Sequence, residues 1–257
     1  MINTQEAISL FHQHMQSKNQ WHVLRLVGEA KMGKSHLLSK VFPILARQDY
    51  HARCALLDLR NPTHTVPDIL HFTCGQLGGQ TYDSYYAAYR EWLNRPKKVG
   101  VQQLIALFSR ITIAVKDSSS DIHQRDLHLT TQFVKDLSNL DDQPILLLFD
   151  TVNKADEYIQ IWLMDTLLVQ LSQLAHVRVV VAGRSVPEAS NSYATSCQSY
   201  QLSPVTEVDA YIDYCQNANL TLSEQSIRDF ARAFRYTPGI FVEYVLPNFV
   251  PERVPRD

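Results

Sequence analysis

At 257 residues the chain exceeds one typical domain of about 150 residues, so one large α/β domain, or a domain carrying a small appendage, is the expectation. It is 45% hydrophobic and 19% charged with only 8 Gly and 11 Pro, a globular balance that excludes fibrous or largely disordered chains. Lys plus Arg number 24 against 26 Asp plus Glu, a formal charge of -2, so no global positive field draws in nucleic acid or an anionic membrane.

The first residues, MINTQEAISLFHQHMQSKNQ, contain no continuous apolar core and no small-residue cleavage site, and no apolar run of 18 residues occurs, so a cytoplasmic protein without membrane contact is expected. Cys54, Cys74, Cys197 and Cys215 show no C-x-x-C spacing and read as small, buried, reduced side chains.

In chain order, residues 4 to 16 predict an amphipathic helix with Thr4 as N-cap. Trp21 to Val27 reads as a strand ending at Gly28, and Lys34 to Leu45 as a helix. Cys54 to Leu59 predicts a second strand. Residues 66 to 140 form a mostly helical insertion, with helices expected over Val66 to Leu77, Tyr82 to Leu93, Gln102 to Val115 and about Asp126 to Leu140, and a polar surface loop at Asp117 to Asp121. Ile145 to Phe149 is all apolar, which predicts a strand buried on both faces of a parallel sheet. A helix follows over Asp156 to Leu174, then a strand over Val177 to Ala182 and a short strand over Tyr200 to Leu202. Strands separated by helices define a doubly wound α/β sheet, a P-loop NTPase three-layer arrangement over residues 1 to 203. Residues 204 to 257 read as a small helical, lid-like subdomain that opens on a Thr206/Asp209 capping box.

The chemistry concentrates in Gly28-Glu29-Ala30-Lys31-Met32-Gly33-Lys34-Ser35, a match to G-x-x-x-x-G-K-[ST] set between a predicted strand and a predicted helix. Glycines let the backbone curl so that successive N–H groups face phosphate oxygens. Lys34 then reaches the β and γ phosphates and Ser35 offers a hydroxyl to Mg²⁺. His36, directly after the loop, lies close enough to join the binding segment, although local packing suits it better than catalysis. Asp150, at the end of the apolar strand, fits a Mg²⁺-binding Walker B carboxylate; its bland alternative is a cap on the next helix. Arg184 emerges at the same sheet edge and is either a γ-phosphate sensor or an ordinary surface arginine. Thr237-Pro238-Gly239 is either a simple helix break or a turn through which Pro238 meets the nucleotide. The spacing of Tyr82, Tyr85, Tyr86 and Tyr89 favours a packed helix face over a base-stacking platform. Asn153-Lys154-Ala155-Asp156 spells NKxD but follows the Walker B strand immediately, so it is read as accidental.

Taken in order, the phosphate loop, LLLFDT, a helix containing WL, VRVVVAGR, YQLSP and TPG resemble the STAND class of signal-transduction ATPases, relatives of AAA+ and NACHT modules, over about residues 20 to 245. The resemblance implies ATP and Mg²⁺ as cofactors, lid closure, slow hydrolysis and self-association, with Lys34, Ser35, Asp150, Arg184 and Pro238 as the positions taking family roles. Many such proteins read DT-x-E after the strand, whereas this chain has Asp150-Thr151-Val152-Asn153, and an amide cannot accept a proton as a carboxylate does. Only about twenty residues precede the first strand and none follow residue 257, so an excised domain or an effector on another chain is expected. A nucleic-acid partner is not expected from the near-neutral charge; an AAA+-like ATPase acting on nucleic acid and a non-hydrolysing nucleotide-bound scaffold stand as alternatives.

Overall fold

The computed structural model describes residues 2, 5–16, 20–94, 119–140, 143–220 and 222–249. The predicted helix at Gln102 to Val115 and the Thr4 cap lie outside these residues.

Helix α1 (Gln5–Met15) precedes strand β1 (Val23–Gly28). The phosphate loop leads into α2, a continuous helix built as Lys34–His36, a π-type turn Leu37–Val41 and Phe42–Tyr50. Then follow β2 (Arg53–Asp58), α3 (Val66–Leu77), α4 (Asp83–Asn94) and α5 (Ser119–Ser138). After β3 (Ile145–Asp150), α6 runs through Glu157–Trp162, a second π-type turn Leu163–Leu167 and Leu168–Leu171. Strands β4 (Val177–Gly183) and β5 (Cys197–Leu202) complete the sheet, and α7 (Val208–Asn217), α8 (Glu224–Ala233) and α9 (Pro238–Phe249) follow it.

All strand pairs are parallel, in the order β2-β3-β4-β1-β5. Alternation along β3 explains its uninterrupted apolar sequence. Ile145, Leu147 and Phe149 enter one buried cluster, with α3 to α6, while Leu146 and Leu148 enter the opposite one, with α1 and α2. Phe11 of α1 stacks on Phe42 of α2 with centroids 4.3 Å apart, which seats α1 on that second face. The tyrosines pack as the helical spacing predicts: Tyr82 and Tyr85 are fully buried, and Phe133 of α5 stacks on Tyr82 and meets Tyr85 edge-on. A third cluster, around Tyr211, Ile227, Phe241 and Val245, holds α7 to α9 together and includes Ile2 from the far end of the chain.

Several local readings need correction. Ser119 to Asp121 belong to the first turn of α5, not to a surface loop, so the polar serines start the helix. The expected Thr206/Asp209 capping box does not form: Glu207 occupies the N-cap of α7 with no side-chain cap bond. A capping box forms instead at α3, where Thr65 Oγ1 accepts from the Asp68 N–H and the Asp68 carboxylate accepts from the Thr65 N–H at 2.9 Å. Strand β5 is twice the predicted length because it is an edge strand, whose half-exposed CQSYQL sequence leaves little apolar signal. The carboxylate of Asp136 on α5 accepts from the Tyr85 N–H at 2.8 Å, a tertiary cap on the first turn of α4.

Gly75 sits in the last turn of α3 with ordinary helical φ, and a Cβ there would meet nothing within 4 Å. Gly75→Ala is therefore expected to stabilise the protein by about 0.5–1 kcal/mol by restricting the unfolded chain. A denaturant midpoint that fails to rise would contradict this.

Candidate phosphate-binding site

The site lies at the carboxyl ends of the parallel strands, where β1, β4 and β3 stand side by side. Gly28 ends β1 beside Leu202 of β5, and a Cβ on Gly28 would stand 2.7 Å from the Leu202 carbonyl oxygen, so only glycine fits this close approach. The loop then turns through two left-handed residues, Lys31 at φ 67° and Gly33 at φ 95°. Leu37 N–H bonds the Gly33 carbonyl at 2.9 Å, launching α2 directly from the loop.

Lys34 is buried at 8% exposure, and its ammonium donates to the carbonyls of Gly28 and Glu29, the latter at 2.7 Å. Burial lowers its pKa from the ordinary lysine value; the Asp150 and Glu29 carboxylates oppose this, and the nearby Arg184 guanidinium adds to it. The same electrostatic neighbourhood thus contains Lys34, Asp150 and Arg184, three positions drawn from the loop, the end of β3 and the segment after β4. Ser35 and His36 are exposed at the start of α2, while Met32 is buried in the cluster beneath the loop. Burial and the Lys40 charge lower the His36 pKa.

Asp150 is 6% exposed and pairs in register with Asp58 of β2; one of its carboxylate oxygens accepts from the Thr151 N–H at 2.8 Å. Thr151 takes φ 60° and opens a short 3₁₀ turn, Val152–Lys154. That turn carries Asn153 across to the end of β4, where its Oδ1 accepts the Arg184 N–H at 2.9 Å. Gly183 accommodates the crossing: a Cβ there would stand 2.6 Å from the Ser185 carbonyl oxygen and 3.0 Å from Asn153 Oδ1. Asp156 caps α6, its carboxylate accepting from the Tyr158 N–H at 2.9 Å. The Arg184 side chain is exposed. The segment beyond it is fastened from beneath by Arg25 of β1, which is 5% exposed and donates to the Val186 carbonyl at 2.6 Å, to Ser199 and to Glu188.

The Thr237-Pro238-Gly239 turn does separate two helices, α8 ending at Ala233 and α9 opening at Pro238. The adjacent Gly239 N–H donates to the Lys31 carbonyl at 2.8 Å, and the Lys31 ammonium pairs with Glu243 one turn further along α9. Pro238 is buried and directly precedes the residue that meets the phosphate loop. Sequence reasoning missed Asn153's bond to Arg184, the Arg25 fastening and Glu243, because each is a single polar residue whose partner lies far away in the chain.

This donor set fits a magnesium-bound polyphosphate. A helix N-terminus follows a curled loop whose glycine positions admit no Cβ or adopt left-handed geometry, a buried ammonium lies within it, and a nearly buried carboxylate stands two strands away. Ser35 and Asp150 are the residues with the oxygen ligands Mg²⁺ prefers.

A comparison with family models gives no match, and neither does one with curated proteins. Solved structures do match. The Walker-type ATPase PABY2304 of Pyrococcus abyssi aligns at 14% identity with a TM-score of 0.50, over 96% of this chain and 68% of that one. Cdc6p from Pyrobaculum aerophilum aligns at 14% identity with a TM-score of 0.58, over 96% of this chain and 62% of that one. Together with the parallel five-stranded sheet they show a P-loop NTPase α/β fold followed by a helical region. The chain spans about two thirds of the length of these two relatives. Among the described residues, no helix is long and apolar enough to cross a membrane.

Proposed function

We propose that the chain is a Mg-ATP-binding switch of the STAND type, with slow ATP hydrolysis and nucleotide-dependent self-association, in bacterial defence or stress signalling. The observation that carries this reading is the docking of α9 on the phosphate loop at Lys31, which joins a nucleotide site to a helical unit able to report on it. In this reading residues 1 to 203 bind nucleotide and residues 204 to 257 form the lid.

Gly28, Glu29, Ala30, Lys31, Met32, Gly33, Lys34, Ser35 and His36 form the segment around the phosphates, and Pro238 closes it from the lid side. Lys34 exchanges its two carbonyl partners for phosphate oxygens, a stronger bond because both partners are charged. Ser35 and Asp150 hold Mg²⁺, which when bound neutralises charge on the phosphates. Arg184 turns its exposed guanidinium to the γ-phosphate, on a backbone steadied by Asn153. Asn153 supplies no proton acceptor where a carboxylate would activate water, so turnover is slow.

A second reading, an AAA+ ATPase acting on nucleic acid, draws as much support from the fold shared with Cdc6p, and a charge of -2 over the whole chain says nothing against a local basic patch. The two separate on one set of samples: multiple-turnover ATP and GTP hydrolysis with Mg²⁺, with oligomer mass recorded and with duplex DNA or RNA added in a salt series. Slow turnover with ATP-dependent growth in mass and no nucleic-acid response supports the switch. Binding that weakens steeply with salt supports the second reading. Nucleotide binding without turnover above a Lys34→Ala control leaves a nucleotide-held scaffold.

A further inference from the structure

Among the described residues, helix α9 is bonded to the phosphate loop at Lys31, by two bonds of different kinds. The Lys31 carbonyl accepts from the Gly239 N–H at 2.8 Å, and the Lys31 ammonium pairs with the Glu243 carboxylate. Gly239 and Glu243 are four residues apart and so lie on one face of α9, above the loop. The approach is close: a Cβ on Gly239 would stand 2.5 Å from the Lys31 carbonyl oxygen and 2.9 Å from the Lys31 Cβ, so glycine is required there for backbone to meet backbone. On its other side α9 is fixed, since Phe241 and Val245 are fully buried among α7 and α8.

The main-chain bond has a consequence for the loop. In a trans peptide the C=O and the following N–H point in opposite directions. Tying the Lys31 carbonyl to α9 therefore turns the Met32 N–H away from α9 and fixes one peptide plane inside the phosphate-binding segment. Lys31 itself holds φ 67°, a conformation that a non-glycine residue keeps only where its surroundings supply compensating contacts. Helix α9, PGIFVEYVLPNF, has no Lys or Arg and thus no cation of its own to extend to a phosphate.

We propose that Lys31 is the positioning residue through which the helical unit senses a polyphosphate in the loop, with Glu243 as its counterpart on α9. This inference rests on the nucleotide reading above and adds the route by which occupancy reaches the lid. A lid that docks at Lys31 orders the loop, so a polyphosphate that prefers the ordered loop stabilises docking in return, by reciprocity of coupling. The ion pair is exposed on both sides, with side chains 48% and 60% accessible, so it can be altered without disturbing a core.

The test is amide hydrogen exchange across residues 238–249 of the whole chain, with and without saturating Mg-ATP, in wild type, Glu243→Gln and Glu243→Lys, with ATP occupancy confirmed for each by calorimetry. Wild-type exchange is expected to slow about tenfold on ATP addition, within the ~5–150-fold span of typical site-to-site coupling. Glu243→Gln keeps part of that slowing, and Glu243→Lys loses it while ATP remains bound. Slowing in Glu243→Lys equal to wild type overturns the proposal, as does a wild type that binds ATP with no change in α9. A wild type that binds no ATP overturns the nucleotide reading instead. The ligand-free samples then judge the contact alone: α9 must exchange faster in Glu243→Lys than in wild type, and equal rates overturn it.

Discussion

Replacing Lys34 with alanine is expected to abolish Mg-ATP binding while leaving the fold standing. The ammonium is a buried charge whose hydrogen bonds among the described residues run to the Gly28 and Glu29 carbonyls, inside the loop it would lend to phosphate. Truncating a desolvated charged partner of an anion costs about 2–5 kcal/mol of binding, enough to take a micromolar ligand to the edge of detection. The fold does not share that cost. Burial lowers the Lys34 pKa, so folding disfavours its charged form, and the lysine detracts from stability at every pH below that lowered value. That penalty fades as pH rises toward the ordinary lysine range, because the unfolded chain then loses the proton too. Affinity follows the opposite course, weakening as pH climbs through the lowered pKa, since the neutral amine no longer attracts phosphate. Equilibrium dialysis of labelled ATP beside a denaturant melt checks both halves; a Lys34→Ala protein that binds normally, or that unfolds, contradicts the account.

Phe133→Ala is expected to do the reverse. Phe133 is fully buried on α5, with its ring stacked 5.9 Å from that of Tyr82 and set edge-on to Tyr85 at 6.3 Å. Removing it leaves a cavity between α5 and α4 and costs about 3–5 kcal/mol, a large part of the ~5–15 kcal/mol that holds a domain folded. The side chain lies in the cluster on the α3-to-α6 face, away from the phosphate loop, so the folded fraction keeps its nucleotide affinity. A midpoint that shifts by less than the equivalent of 1 kcal/mol would show that α4 and α5 do not carry that face. The pair separates site from scaffold: one variant loses ligand and keeps stability, the other loses stability and keeps ligand.

Why some of this was legible in the sequence and some was not follows from where each signal resides. Strand β3 is readable because burial on both faces leaves nothing but apolar residues between Pro144 and Asp150, and α3 because its period, its proline at the first turn and its C-terminal Gly78 all agree. The phosphate loop is readable because a short contiguous motif does its own folding. Strand β5 is half-legible, since an edge strand needs one apolar face at most. The π-type turns in α2 and α6 add a single residue per turn and leave no mark on the pattern. The capping boxes are the instructive exchange: Thr65 stands at the N-cap of α3 with Asp68 three positions on, whereas α7 opens one residue late, at Glu207, so Thr206 and Asp209 have the right spacing at the wrong positions. At the site, the motif marks Lys34, while Asp150 and Arg184 are placed by their positions at strand ends. The Asn153 bond to Arg184 and the Lys31 pair with Glu243, which spans 212 residues, depend on the sheet order and on where α9 meets the loop, and no local pattern encodes either.

Every role proposed for these residues requires the loop from Gly28 to Ser35 to hold a magnesium-bound nucleotide. Calorimetric titration of the whole chain with ATP, in the presence and absence of Mg²⁺, addresses it without requiring turnover, a partner or an oligomer. Saturable binding of one ATP per chain, tighter with Mg²⁺ and lost in Lys34→Ala, is the predicted result. No measurable binding at millimolar ATP, or binding that Lys34→Ala leaves unchanged, would contradict it.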